Sequence, residues 1–137
     1  MNFIKILLRL FNYKRTNPLL TNLTSQKSFE EKYNDWGAFN YTQNGFSIKY
    51  EDFFKEVKWN DITQLNVYKK DLMTIDRIEM EIVYGNMCIT INEDIPGWYQ
   101  FVVKTKSIFP EIPEEWNFEI TDPPFARNYR TIYKKIP

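Results

Sequence analysis

The 137-residue sequence contains no histidine, one cysteine (Cys88) and only four glycines. Without histidine, no unperturbed side chain titrates near neutrality, which excludes histidine-based acid–base catalysis and histidine metal ligation. A single cysteine excludes an intrachain disulfide and a cysteine zinc cluster. There is no glycine-rich phosphate loop, and the acids lack the spacing of a calcium loop, so neither a cofactor nor a metal is expected. Long apolar runs are missing too. The longest, Phe3 to Phe11, is interrupted by Lys5 and Arg9, is too short to span a bilayer and has no small-residue cleavage site after it. With no signal and no paired cysteines, the expected compartment is the cytoplasm.

What the sequence has in excess is aromatic mass: eleven Phe, nine Tyr and four Trp, 18% of residues. With 43% hydrophobic and 26% charged residues, that suits one folded domain with a ring-filled core. The net charge is zero but unevenly spread: residues 1–27 carry +5 and no acid, residues 28–126 carry −9, and residues 127–137 carry +4. A phosphate-tracking surface would need a basic body, so nucleic acid is not an expected partner.

At the N-terminus, helical spacing puts Phe3, Ile6, Leu7, Leu10 and Phe11 near one face and Lys5 with Arg9 on another. This predicts a short basic amphipathic helix ending before Asn17-Pro18. It either packs on the domain or uses Phe3, Lys5, Arg9 and Phe11 on an anionic membrane or a partner groove. A polar linker follows, so the expected organisation is 1–28 as helix and linker and 29–137 as one domain.

From Trp36 the period becomes two. Ala38–Tyr41 and Phe46–Tyr50 read as a hairpin turned by Asn44-Gly45, whose residues tolerate positive φ. Lys55–Trp59 is extended, Asn60-Asp61 turns through the Asp side chain, and Ile62–Lys70 is a strand. Asp76–Tyr84 alternates Ile78, Met80, Ile82 and Tyr84 with Arg77, Glu79, Glu81 and Val83, giving one buried face and one solvated acidic face. Gly85-Asn86 turns the chain into Met87–Ile91, with Met87, Ile89 and Ile91 inward. Trp98, Phe101, Val102, Thr105, Ile108 and Phe109 have helical spacing; Pro96 suits the first helical position, Glu93 and Asp94 its positive end, and Pro110 the stop. Asn117–Thr121 reads as a short strand, Asp122–Phe125 as a rigid turn, and Thr131–Lys134 as a last extended piece. The fold class is therefore α+β: a bent antiparallel sheet or small barrel closed by one amphipathic helix, with an added N-terminal helix.

The catalytic inventory is thin. Asp71 with Asp76, or Glu79 with Glu81, are the only generic carboxylate pairs, and nothing marks a nucleophile, so an enzyme is not expected. Cys88 reads as a small strand residue. The charged stretch Lys69, Asp71, Thr74 and Asp76, between two strands, reads either as a self-bonded loop or as a polar contact surface. Glu79 and Glu81 would extend that surface toward a basic partner, with Trp36 or Tyr99 as aromatic anchors.

Trp59-x-Asp61-Ile62, Tyr68-Lys69-x-Asp71-Leu72-x-Thr74-x-Asp76, Glu93-x-x-x-Gly97-Trp98 and Pro124-Phe125-x-x-Asn128 together resemble a family of small bacterial cytosolic proteins. That family is similar in layout to the bacterial pleckstrin-homology-like domains, and some proteins of this kind are immunity partners of secreted toxins. The resemblance covers roughly residues 36–134. The segment after the helix is additional to a minimal pleckstrin-like layout. The shared residues have structural readings: Trp59 and Trp98 pack across the core, Asp61 caps its turn, Gly97 allows a close approach, and Lys69 pins the loop through Asp71 or Asp76. The resemblance and the residues together imply a non-enzymatic module that binds a protein, a toxin domain being the leading partner. The alternative is a membrane-peripheral adaptor with weak anionic membrane contact through the N-terminal helix.

Overall fold

The computed structural model describes residues 36–137; the predicted helix carrying Phe3, Lys5, Arg9 and Phe11, and the linker after it, lie outside the described residues. Three strands form the first antiparallel sheet in the order β1 (Phe39–Tyr41), β2 (Gly45–Tyr50), β3 (Phe53–Lys58). A 3-10 turn, Trp59–Asp61, carries the chain into a second sheet. There β4 (Ile62–Asp71), β5 (Asp76–Tyr84) and β6 (Met87–Asn92) run as a meander. Helix α1 (Trp98–Ile108) and the short α2 (Trp116–Glu119) follow, and β7 (Arg130–Lys134) returns beside β4, giving the order β6-β5-β4-β7.

The α+β class and the antiparallel pairing match the sequence reading, but there are two open sheets rather than one bent sheet or a closed barrel. The reason lies in β4. Its two edges are taken by β5 and β7, so β3 cannot continue the sheet beside β4. One core serves both sheets. Phe101 of α1 lies 4.6 Å from the Phe39 ring and 4.9 Å from Phe46, and Phe109 lies 6.2 Å from Trp59 and 4.2 Å from Tyr133. Of the six residues with helical spacing, Trp98, Phe101, Val102, Thr105 and Phe109 are buried and Ile108 is half-buried. No helix among the described residues is long and apolar enough to cross a membrane.

Several local expectations change. The first hairpin does not turn on positive φ at Asn44-Gly45. Thr42 makes the turn, donating its N–H to the Gly45 carbonyl at 2.9 Å and accepting the Gly45 N–H on Oγ1 at 3.1 Å. Gly45 is needed because a Cβ there would lie 2.1 Å from the Val57 carbonyl oxygen. Met87 is exposed although Ile89 and Ile91 are buried, since it is the first residue of its strand, at the hairpin end of the sheet. Pro96 precedes the helix; Gly97 is the N-cap, with Trp36 O only 2.3 Å from where its Cβ would be. No acid occupies the first turn of α1, because Glu93 instead accepts the Ile78 N–H at 2.9 Å. Asn117–Thr121 is not a strand: Asn117 to Glu119 belong to helix α2, and Trp116 and Ile120, four apart, both face the core. The turn at Asp61 closes through backbone, Ile62 N–H to Trp59 O.

Gly45→Ala should therefore cost about 1–3 kcal/mol by overpacking. Asn44→Ala, at an exposed position needing no special φ, should stay within about 0.5 kcal/mol. Urea unfolding of both variants checks this; equal losses would restore the positive-φ turn.

Candidate functional site

Period two puts Leu65 and Val67 of β4 in the core and Gln64, Asn66 and Tyr68 on the opposite face of the second sheet. Antiparallel register sets Asn66 against Glu81, Tyr68 against Glu79, and Glu81 against Thr90. Over this face arches the segment leading into β7. The Tyr129 ring stacks on Tyr68 with centroids 5.8 Å apart and planes 22° apart. The Arg127 guanidinium lies 4.9 Å from the Tyr68 ring centre and 5.4 Å from that of Tyr129.

Hydrogen bonds hold the stack in place. Tyr129 Oη donates to Glu81 Oε1 at 2.6 Å, and Asn66 Nδ2 donates to the same oxygen at 3.3 Å. Asn66 Oδ1 in turn accepts from Gln64 and from Thr131, both at 2.8 Å. The bond to Glu81 favours the neutral phenol, and with burial it pushes the Tyr129 pKa up from 10.0 to about 12. Burial, then Glu79 and Glu81, raise Tyr68 as well. Cys88, across the sheet, is raised by burial and by Glu81, so its thiol is held away from the reactive thiolate.

Glu79 and Glu81 are not a solvated acidic face. Glu79 is only 5% exposed and lies under Arg77, whose Nε is 3.2 Å from its Oε2 and whose Nη1 is 3.6 Å from Asp94. The Nε contact is an ion pair without hydrogen-bond alignment, leaving both atoms without a hydrogen-bond partner. Glu81 is half-buried under Tyr129.

Lys69 points the other way, to the core side, and is 3% exposed. Its Nζ donates to Thr121 O at 2.9 Å and to Pro123 O, and lies 3.4 Å from Asp76 Oδ2. Its backbone N–H donates to Arg127 O at 2.7 Å, while Asp76 Oδ2 accepts the Phe125 N–H at 2.6 Å. Residues 121–127 are thus laced to β4 and β5 by one buried lysine and one buried carboxylate. Of the two carboxylates that the sequence offers Lys69, Asp76 is the partner. Asp71 instead accepts the Met73 N–H at 2.7 Å, and Thr74 is exposed at the same hairpin end.

The six residues expected to form a contact surface therefore divide. Lys69 and Asp76 lie inside, Glu79 and Glu81 lie beneath other side chains, and Asp71 and Thr74 sit at a hairpin tip. Tyr99, expected as an anchor, is 4% exposed and unavailable to a partner, whereas Trp36 is 59% exposed. Arg127, Tyr129 and Tyr68 are the site residues that sequence reasoning misses. Their signal is weak: Tyr68 has the parity of a solvent-facing strand residue, but nothing local ties it to an arginine 59 positions later. Neither carboxylate pair is placed as a free acid–base couple, and no group of three or more metal-ligating side chains occurs among the described residues. Compared with protein-family models, curated proteins and solved structures, the chain matches none.

Two outcomes follow. Lys69→Met leaves the buried Asp76 carboxylate without its cation and should cost about 3–5 kcal/mol in urea unfolding; adding Asp76→Asn should recover part of it. Glu81→Gln should bring the Tyr129 ionisation back toward 10.0, seen as phenolate absorbance against a Tyr129→Phe control. Because the folded-state pKa is the higher one, the stability linked to Tyr129 is present below pH 10.0 and is lost as pH rises toward about 12.

Proposed function

We propose that this chain is a non-enzymatic protein-binding module whose contact surface is the outer face of the second sheet, and specifically an immunity-type protein that binds and neutralises a cognate bacterial toxin. The observation carrying the binding reading is Arg127 spread over the Tyr68–Tyr129 stack. Arginine and tyrosine are the residue types that dominate interface energetics. Here they are exposed yet already fixed, Tyr129 by Glu81 and the Arg127 backbone by Lys69, so little side-chain entropy remains to be lost on binding. The immunity reading adds the resemblance carried by the Trp59, Lys69–Asp76, Glu93–Trp98 and Pro124–Asn128 residues. Relative to the sequence-based expectation, the anchoring role passes from Glu79 and Glu81, which are engaged by neighbours, to Arg127 and Tyr129.

A second reading, a membrane-peripheral adaptor, rests on the +5 charge of residues 1–27 and is read by co-sedimentation with anionic vesicles at low and high salt.

The test uses immobilised wild-type protein and an Arg127→Glu variant in the same lysate of the source cell, with captured proteins identified by mass spectrometry. One stoichiometric partner should be retained by the wild type and reduced at least about tenfold by Arg127→Glu or Tyr129→Ala. Equal capture would remove this face from the assignment. For the immunity reading, co-expression should restore growth to cells producing the captured protein; continued growth arrest would leave binding without neutralisation.

A further inference from the structure

A groove of about 420 Å³ opens between the two sheets; Thr90 lines it, but Tyr68, Arg127 and Tyr129 do not. Tyr50 and Phe53, paired across the end of the β2–β3 hairpin, form one wall, and Ile91 and Ile95 the other. Tyr50 is 37% and Phe53 38% exposed. Glu51 and Asp52 stand on the rim, and among the described residues lining the groove there is no basic side chain. The site is thus apolar inside and acidic outside.

The first described residues lie beside this groove. Ala38 donates its N–H to Pro96 O at 2.9 Å, next to Ile95, and accepts the Lys49 N–H at 2.9 Å, next to Tyr50. Each wall is therefore one residue along the chain from a hydrogen-bond partner of Ala38, the third described residue. Those residues include the one stretch whose chemistry is the complement of the groove: apolar Phe3, Ile6, Leu7, Leu10 and Phe11 beside basic Lys5 and Arg9. The intervening residues 12–35 can span up to about 80 Å when extended, so reach is no constraint. A tether of that length also holds the segment at a high effective concentration, which makes even a weak contact occupied.

We propose that residues 3–11 of this same chain are the occupant of the groove, with Lys5 and Arg9 against Glu51 and Asp52. This inference is independent of the Arg127 face. Occupancy would withhold the basic apolar segment from other surfaces.

The experiment is timed tryptic digestion of the full-length chain at native pH, read by mass spectrometry, comparing cleavage after Arg9 with cleavage after Lys27. Docking predicts cleavage after Arg9 at least about tenfold slower than after Lys27, because the protease acts on the undocked fraction. The paired change Glu51→Lys and Asp52→Lys should remove that protection, as should high salt. Ile6→Asp, which alters only the segment and lies away from the Arg9–Leu10 bond being cut, should do the same. Equal cleavage at both sites in the wild type, or protection unchanged in all variants, would overturn the proposal. Protection that disappears on about hundredfold dilution would assign the segment to a second copy and also overturn it, since docking within one chain is independent of concentration.

Discussion

The contact between Lys69 and Asp76 holds residues 121–127 in place, and the exposed arginine–tyrosine face depends on it. Two charged side chains with 1% and 3% of their surface exposed are held inside the fold, where desolvation is costly. The cost is offset because the lysine also donates to the carbonyls of Thr121 and Pro123, and the carboxylate also accepts the Phe125 N–H. Residues 121–127 contain two prolines in succession and form neither helix nor strand, so they have no ladder of their own to fix them. The ion pair supplies that fixation. It delivers Arg127 to the edge of β4 and sets Tyr129 over Glu81, so the exposed arginine–tyrosine face depends on a pair of groups that face the other way.

The second constraint is the aromatic core. With few glycines and much ring volume, the two sheets stand apart, and Phe101 with Phe109 fills the space between them. Such rings contribute beyond their buried area when they meet edge-on or offset, as Phe46 and Phe101 do at 67°. The same shape leaves the hairpin tip of Tyr50 and Phe53 overhanging the end of β6, where no described element covers it.

Strand placement is largely legible in the sequence. Asp76–Tyr84 keeps its predicted limits, and Ile62–Lys70 and Met87–Ile91 each extend by one residue, because alternation over many residues has only one reading when one face is buried. Single-residue features are less legible. Gly45 has the character of a turn residue, but the close approach of Val57 O is what requires it, and that carbonyl comes from another strand. Asn117–Thr121 reads as extended because its apolar residues alternate over a short stretch, yet Trp116 and Ile120 need the same face. The candidate site is the least legible part. The pairing of Lys69 with Asp76 is one of two options open in the sequence, while Glu79 and Glu81 read as solvated because the chain that covers them is distant in sequence.

By itself the sequence determined the α+β class, the antiparallel meander, the amphipathic central helix and the exclusion of histidine chemistry and of an intrachain disulfide. Each of these follows from local periodicity or from composition, which do not depend on what lies opposite. The tertiary structure alone decided that there are two open sheets, that Lys69 is buried, and that Arg127 meets Tyr68 and Tyr129. Those depend on β7 occupying the free edge of β4, a pairing between residues more than sixty positions apart that no local pattern encodes.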